Sequence, residues 1–536
     1  MIMVVRHTLR DARRGLITLL ILLGGLVFAV LGGVASAYPT VAARTEISRI
    51  AESLGAASTG LTGPAVNVGT MGGYVQWKYG TVLVVIAGIW AILALTGTLA
   101  GEAGRGSLDV LAATPLSRRR LALAKLGGLL AVLTAGCAAA TAGAWLGGQA
   151  FARLPGDAVP VADAAGLGAW LWTMAVAFGG LAFALAQWLG RAVGAWIAGA
   201  LLIGGLVAVG YRDFSPVLDA IAPFTPWDWT YAHLPLAGRL DWASLAWPLL
   251  AGVLLLGAGV EAFARRDLGA VLSLPRVSPP AFGVRGVAGR VFADRLPAAL
   301  GWGGGLAVLG FVLAASSATM AEQFVRSPSL AESFGAMFPD FDVSTPGGFL
   351  QLVMQLMFVL AGFAAVSLLG GWGADEDTGR MEMLLATPVT RAGLILRGGL
   401  GLLGAVAVVT GLAAAGVALG AVAAGSADIL RPTAGTGVLG LFAAAVVGVG
   451  VAAGGLARMS AAGTVAGIAV VVTYLIDLVA PALDMPDWVR EIALTAHLGR
   501  PMVGDWDVTG VTACLILAAG GLLVGAAGLT RRDLRH

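Results

Sequence analysis

Long apolar runs separated by short polar connections dominate this chain, and their length decides what they are. A bilayer's hydrocarbon is about 30 Å thick and takes roughly 20 helical residues to cross. Twelve runs reach that length. The first six are 15–37, 79–99, 126–150, 165–189, 192–211 and 243–264. The second six are 298–318, 349–371, 398–424, 436–457, 461–480 and 508–529. Backbone groups find no water in hydrocarbon, so each run is expected as a helix. The first has too long an apolar core for a signal peptide, and eleven spans follow it, so it is read as retained.

Lys and Arg at the span ends set an orientation. One side collects Arg6, Arg10, Arg13, Arg14, Arg105, Arg118 to Arg120, Lys125, Arg191, Arg265, Arg266, Arg380, Arg391, Arg397, Arg458, Arg531 and Arg532. The other side holds far fewer, among them Arg44, Lys78, Arg212 and Arg431. The first side is expected to be cytoplasmic, with both termini inside and the protein in the cell membrane. Composition agrees: 58% of residues are hydrophobic and 12% charged, about half the charge density of soluble domains. Mean hydropathy is +0.88. The small net charge of +3 sits at span ends, which argues for topology and against nucleic acid. Cys137 and Cys514 lie in apolar runs and four scattered histidines lack ligand spacing, so neither a disulfide framework nor a metal site is expected.

The two halves repeat each other. Ala51-Glu52-Ser53-Leu54-Gly55-Ala56 returns as Ala331-Glu332-Ser333-Phe334-Gly335-Ala336, and Ala113-Thr114-Pro115 as Ala386-Thr387-Pro388. Arg191 matches Arg458, and Arg265-Arg266-Asp267-Leu268 matches Arg531-Arg532-Asp533-Leu534. An even number of spans per copy inserts both in the same sense, so the copies are expected to be related by an axis along the membrane normal. The expected organisation is a first half over 1–268, a Pro-containing cytoplasmic linker over 269–283, and a second half over 284–536.

Each half carries its most patterned polar segment between its second and third spans. In the first copy Glu102 leads to Gly106, Leu108, Asp109, Leu111, Thr114, Pro115 and Arg118; in the second, Glu376 leads to Gly379, Met381, Glu382, Leu384, Thr387, Pro388 and Arg391. Leu108 and Leu111, or Met381, Leu384 and Leu385, recur at helical spacing on one face. Asp109 and Glu382 suit the positive end of a short helix. The residue before proline avoids helical geometry, so this helix is expected to stop at Thr114 or Thr387, with the threonine capping a third span that opens at the proline. Such a loop reads as an interfacial anchor or as a docking surface; its recurrence at the same place in both copies favours docking.

These residues resemble the loop of ABC-2-type ABC transporter permeases, in which Glu-x-x-x-Gly-Thr-Leu-Glu-x-Leu-Leu-Ala-Thr-Pro is common. Glu102, Gly106, Leu108, Asp109 and 111–115 map onto it, as do Glu376, Gly379, Met381, Glu382 and 384–388; the second copy has one residue fewer between glutamate and glycine. The plan is similar to the fused, double-length permeases grouped with polyketide-antibiotic and multidrug exporters. The resemblance implies an all-α, twelve-span fold of type V exporter kind and an export function. It also implies that these loops are coupling elements seated in a separate ATPase subunit, two copies of it, which would hold the ATP and Mg. Within the same resemblance, 1–14 and 284–295 look like connecting helices along the inner membrane surface, an alternative to ordinary positive-inside flanks. The chain itself lacks Gly-x-x-x-x-Gly-Lys-[Ser/Thr], so no catalytic site is expected.

The resemblance further implies that the second and fifth spans of each half line a cavity for hydrophobic or amphipathic small molecules. Those spans carry Trp90, Gln351, Met354, Gln355, Met357, Phe358, Thr473, Tyr474 and Asp477. Simple packing is the competing reading for most of them, and a place in the outer headgroup zone for Asp477. The outer loops 39–77 and 319–348 each have room for a short helix, the first with Ile47, Ile50 and Leu54 on one face. Pro223, Trp227, Trp229, Trp488 and Trp506 in the later outer loops suit the aromatic belt, as a gate or a packed cap. Two rivals stand beside export by ATP: an ion-coupled secondary transporter, which usually needs intramembrane charged pairs, and a non-transporting membrane scaffold or sensor.

Overall fold

Hydropathy marks where a chain meets lipid, whereas a helix ends where its backbone is capped, and here the two limits differ. The computed structural model describes residues 2–59, 63–104, 116–214, 216–265, 286–326, 342–377, 379–482, 488 and 491–532. Among them, eleven helices are long and apolar enough to cross a membrane. At the eleventh expected span, 461–480, the structure has a helix Ala462–Ala482, whose described apolar stretch, Met459–Tyr474, is shorter than the eleven others. The chain separates into two compact units, Met1–Arg276 and Val277–His536.

In the first unit, α1 (Ile2–Asp11) precedes α2 (Arg13–Ala37), which widens into a π-helical turn at Leu20–Gly25. Next come α3 (Val41–Thr59), α4 (Met71–Ala103), α5 (Arg118–Ala150), α6 (Val161–Leu189), α7 (Arg191–Gly210) and α8 (Ala246–Arg265). The helix expected around Ile47 and Ile50 is α3. The second span starts at Met71, eight residues before the apolar run at Tyr79, because the Thr70 hydroxyl accepts the Gly73 N–H at 3.0 Å and caps it there. Residues 71–77 therefore belong to a membrane helix and not to an outer loop.

In the second unit, α9 (Gly286–Arg326) is followed by α10 (Pro346–Asp377), α11 (Arg380–Leu385), α12 (Arg391–Ala423), α13 (Leu430–Leu456), α14 (Ala462–Ala482) and α15 (Val508–Arg531). Between α14 and α15, β1 (Gly499–Arg500) and β2 (Asp505–Trp506) pair antiparallel, Gly499 with Trp506 and Arg500 with Asp505. Of the separate connecting helix expected over 284–295, the described part, 286–295, continues without a break through Pro297 into α9, held against α12 where Gly401 leaves room for the Ala288 carbonyl.

Glycine sets the closest packing. A Cβ on Gly143 would fall 2.3 Å from the Gly24 carbonyl of α2, and one on Gly147 would strike Leu31. In the second unit a Cβ on Gly416 would fall 2.0 Å from the Ala307 carbonyl of α9, and one on Gly420 2.3 Å from that of Phe311. The two pairs lie 273 residues apart in sequence, and in both units they bring the first and third spans into backbone contact, as small residues do between membrane helices. In the first unit α6 is the most enclosed span, with 78% of its apolar window buried. Large apolar side chains face outward: Leu250 is 50% exposed, Leu254 63%, Ile516 64% and Leu523 62%. In water such a surface would aggregate; in a bilayer it is solvated by lipid.

Candidate functional site

The second unit shows how a loop is rooted between two membrane helices. α10 runs to Asp377, and Gly379, at φ 69°, turns the chain through the left-handed region into α11. Met381 is 1% exposed and belongs to the unit's apolar cluster, with Leu384 and Leu385 packed against it. Met383, on the opposite face, is 66% exposed. α11 ends at Leu385, and the Thr387 hydroxyl donates back to the Leu384 carbonyl. Thr387 does not cap the next helix, and Pro388 does not open it. The Val389 N–H closes a tight turn on the Thr387 carbonyl at 2.6 Å, and the extended Thr390 becomes the cap, its hydroxyl accepting the Gly393 N–H at 3.0 Å. Ser117 does the same before Arg118 in the first unit. Gly106, Leu108, Asp109, Leu111, Thr114 and Pro115 lie outside the described residues, as do 331–336 and the linker 269–283.

Both roots of this loop converge on one arginine. Before the loop, Glu376 makes a two-pronged pair with Arg532, Oε1 to one guanidinium nitrogen at 2.8 Å and Oε2 to the other at 3.0 Å. Glu376 Oε2 also accepts the Met459 N–H at 2.6 Å, and Arg532 Nε donates to the Gly455 carbonyl at 3.1 Å. After the loop, the Arg391 guanidinium donates to the Arg532 carbonyl at 2.7 Å. One residue at the end of α15 therefore ties together the end of α10, the start of α12 and the turn between α13 and α14. Charge-assisted, bidentate geometry gives such a joint direction as well as strength.

Glu102, matched to Glu376 by motif, has a different partner. Lys125 Nζ donates to both its oxygens, at 2.6 and 2.8 Å, and is only 3% exposed. Near the same end of the unit Arg119 pairs with Glu261 at 2.6 Å, and Arg265 with the same carboxylate. Spacing to the glycine matches Glu102 with Asp375 rather than Glu376. Asp375 is 7% exposed and lies 3.6 Å from Arg380, with the Arg295 guanidinium against Gly371 one turn earlier.

Residues 289–530 match the family model described as "Multidrug efflux system permease Rv1217c, C-terminal domain". No curated protein matches the chain. The match spans α9 to α15 and so takes in Glu376, the loop and Arg391; it supports a membrane-embedded transport subunit of multidrug-permease kind.

Within this permease-like unit, several residues expected to line a cavity are buried in the unit's own packing. Met354, Met357 and Phe358 are 0%, 2% and 6% exposed and sit in the apolar cluster, where Phe358 meets Phe442 edge to face at 5.4 Å. Gln351 is buried, and its Oε1 accepts the Met502 N–H at 3.0 Å. Thr473 is half-buried and Tyr474 37% exposed on α14. The side chains of Gln355 and Asp477 lie outside the description. In the first unit the Trp90 indole is packed against Gly15 of α2. The first unit does hold an open apolar cleft of about 630 Å³, but α5, α6 and α8 form it, with Thr134, Cys137, Thr141, Trp172 and Trp242 in its wall.

Sequence reasoning passed over three groups: Arg532, which it used only as a repeat marker; Lys125, counted as a topology charge; and the Arg44–Asp157 pair. Arg44 and Asp157 are 4% and 1% exposed at 3.0 Å. Asp157 accepts further N–H groups from Met71, Arg153 and Leu154, welding α3 and the α5–α6 connection to the start of α4. A lone Arg and a lone Asp 113 residues apart carry no local signal.

Proposed function

We propose that the chain is the transmembrane permease of an ATP-driven exporter of hydrophobic or amphipathic compounds, coupled to a separate ATPase subunit through the loops after its second and eighth spans. The rooted loop carries this reading: α11 is pinned by Met381 on its inner face and by Arg532 at both roots, and presents Met383 outward. A short helix that cannot move without moving α10, α12 and α15 is built to receive a push. The match to a multidrug efflux permease over 289–530 supports the cargo class, and the repeat of the loop motif in both halves supports one ATPase copy beneath each. The partner would hold the nucleotide and its Mg, and the loops and both termini would face the cytoplasm.

A single-cysteine substitution tests the docking. Met383→Cys in the co-expressed complex is expected to cross-link to the ATPase subunit in native membranes. Labelling of that cysteine by an impermeant reagent from outside intact cells would overturn the assignment.

A further inference from the structure

At the end of the helices away from the Glu376 loop the two units carry a second repeat. Thr70-Met71-Gly72-Gly73-Tyr74-Val75-Gln76 corresponds to Thr345-Pro346-Gly347-Gly348-Phe349-Leu350-Gln351, and Pro235-Leu236-Ala237-Gly238 to Pro501-Met502-Val503-Gly504. Each unit joins its two segments in the same way. The threonine caps the second span, accepting from Gly73 at 3.0 Å and Gly348 at 3.1 Å. A Cβ on Gly73 would lie 1.9 Å from the Asn67 carbonyl, and one on Gly348 1.9 Å from that of Asp342, so the chain folds tightly onto its own cap.

The Pro-x-x-Gly segment is a single turn. Its glycine has φ 77° at Gly238 and 88° at Gly504. Antiparallel pairing closes it, Leu234 with Arg239 and Arg500 with Asp505. The Gln76 Oε1 accepts the Leu236 N–H at 3.3 Å, and the Gln351 Oε1 accepts the Met502 N–H at 3.0 Å. Gln76, Leu236, Gln351 and Met502 are 2%, 5%, 5% and 2% exposed. A buried turn amide has no ladder or helix to bond with; the glutamine carbonyl is its partner.

These glutamines stand on the same helices as the loop roots. Gln351 and Glu376 share the unbroken α10; Gln76 and Glu102 share α4, which leaves helical geometry at Thr98 (ψ −110°) shortly before Glu102. The separation along α10, from 351 to 376, corresponds to about 37 Å at 1.5 Å per residue. We propose that Gln76 and Gln351 are positioning residues that latch the Pro-x-x-Gly turns to α4 and α10, so that α10 as an unbroken rod, and α4 across its bend at Thr98, carry displacement from the loop root to the turn at the far end. This rests on the coupling reading of the loops. The turn leads into the sixth or twelfth span, so its movement with the rod would alter access at that end.

Hydrogen exchange on the full chain in detergent, read by mass spectrometry, tests the latch without reference to transport. With Gln76→Leu or Gln351→Leu, peptides over 234–239 or 500–505 are expected to exchange about tenfold faster or more, with the apolar core unchanged. Gln→Glu is expected to leave exchange as in the parent, since a carboxyl group keeps the acceptor in either protonation state. Unchanged exchange in the Leu variants overturns the latch. The rod is tested in proteoliposomes with the ATPase partner. The Leu variants are expected to keep ATP hydrolysis while transport falls about tenfold, and the Glu variants to keep both. Equal loss of hydrolysis and transport, or equal loss in the Glu variants, overturns the rod and leaves a structural staple. Absence of ATP-driven transport in the parent chain overturns the coupling reading itself, and the exchange result still decides whether the latch exists.

Discussion

Arg532 gives the sharpest perturbation, because its side chain holds the root before the loop through Glu376, while its backbone carbonyl, which an alanine keeps, still receives Arg391 at the other root. Glu376 and Arg532 side chains are 11% and 15% exposed, so both charges have left most of their water. Removing one partner of a buried pair strands the other at a cost of about 3–5 kcal/mol, and the residual exposure here puts the expectation near the lower bound, about 3 kcal/mol. For domains of this size each kcal/mol moves the midpoint by roughly 2–4 °C, so Glu376→Ala and Arg532→Ala should each lower it by about 6–12 °C. Removing both leaves no stranded charge, and the double variant should recover about 1–3 kcal/mol relative to the sum of the singles. The fraction of chain remaining monodisperse after stepwise heating in detergent, compared across all four forms at one heating rate, supplies the cycle. Additive losses would refute the clamp, because two residues that do not interact lose independently. Salt provides a second check: a pair this buried should be little affected between low and high ionic strength.

Two further outcomes follow from packing. Gly416→Val drives a side chain into the Ala307 carbonyl and should cost about 1–3 kcal/mol or more by forcing α9 and α12 apart, whereas Gly411→Ala, with nothing within 4 Å of the added carbon, should be near neutral; yield and midpoint in detergent compare them. Asp157→Ala strands the Arg44 guanidinium and three backbone N–H groups and should cost about 3–5 kcal/mol, with partial recovery when Arg44→Met is added; a double variant worse than Asp157→Ala alone would contradict the pairing.

Membrane character, the eleven spans found among the described residues and the existence of a short helix after the eighth were legible because lipid imposes a length and proline imposes a break. Helix starts were not. Met71, Arg118 and Arg391 begin their helices inside polar sequence, where capping by Thr70, Ser117 and Thr390 decides and hydropathy is silent. That 286–295 runs on into one continuous α9 was equally hidden, since Pro297 sits inside a helix that glycines of α12 hold in place. Among the site residues, pattern found Glu376, Gly379 and Met381 but not the partner that gives Glu376 its role: Arg532 lies 156 residues away and looks like any terminal arginine. Gln351 was picked out as a polar residue in an apolar span, and its partner, a turn amide at Met502, can be named only once the chain is folded. The repeated Thr-x-Gly-Gly segments were in plain view, and aligning the halves through them would have exposed the glutamines as a pair.

Energy source is the measurement that separates an ATP-driven permease from an ion-coupled one most directly. In inside-out membrane vesicles carrying the chain and its co-expressed ATPase subunit, uptake of a hydrophobic dye is expected to require hydrolysable ATP. It should survive an uncoupler, stop with vanadate, and fall to background when the Glu376 clamp is broken by Arg532→Ala. Uptake driven by a proton gradient without ATP, and indifferent to the presence of the ATPase subunit, would contradict the account.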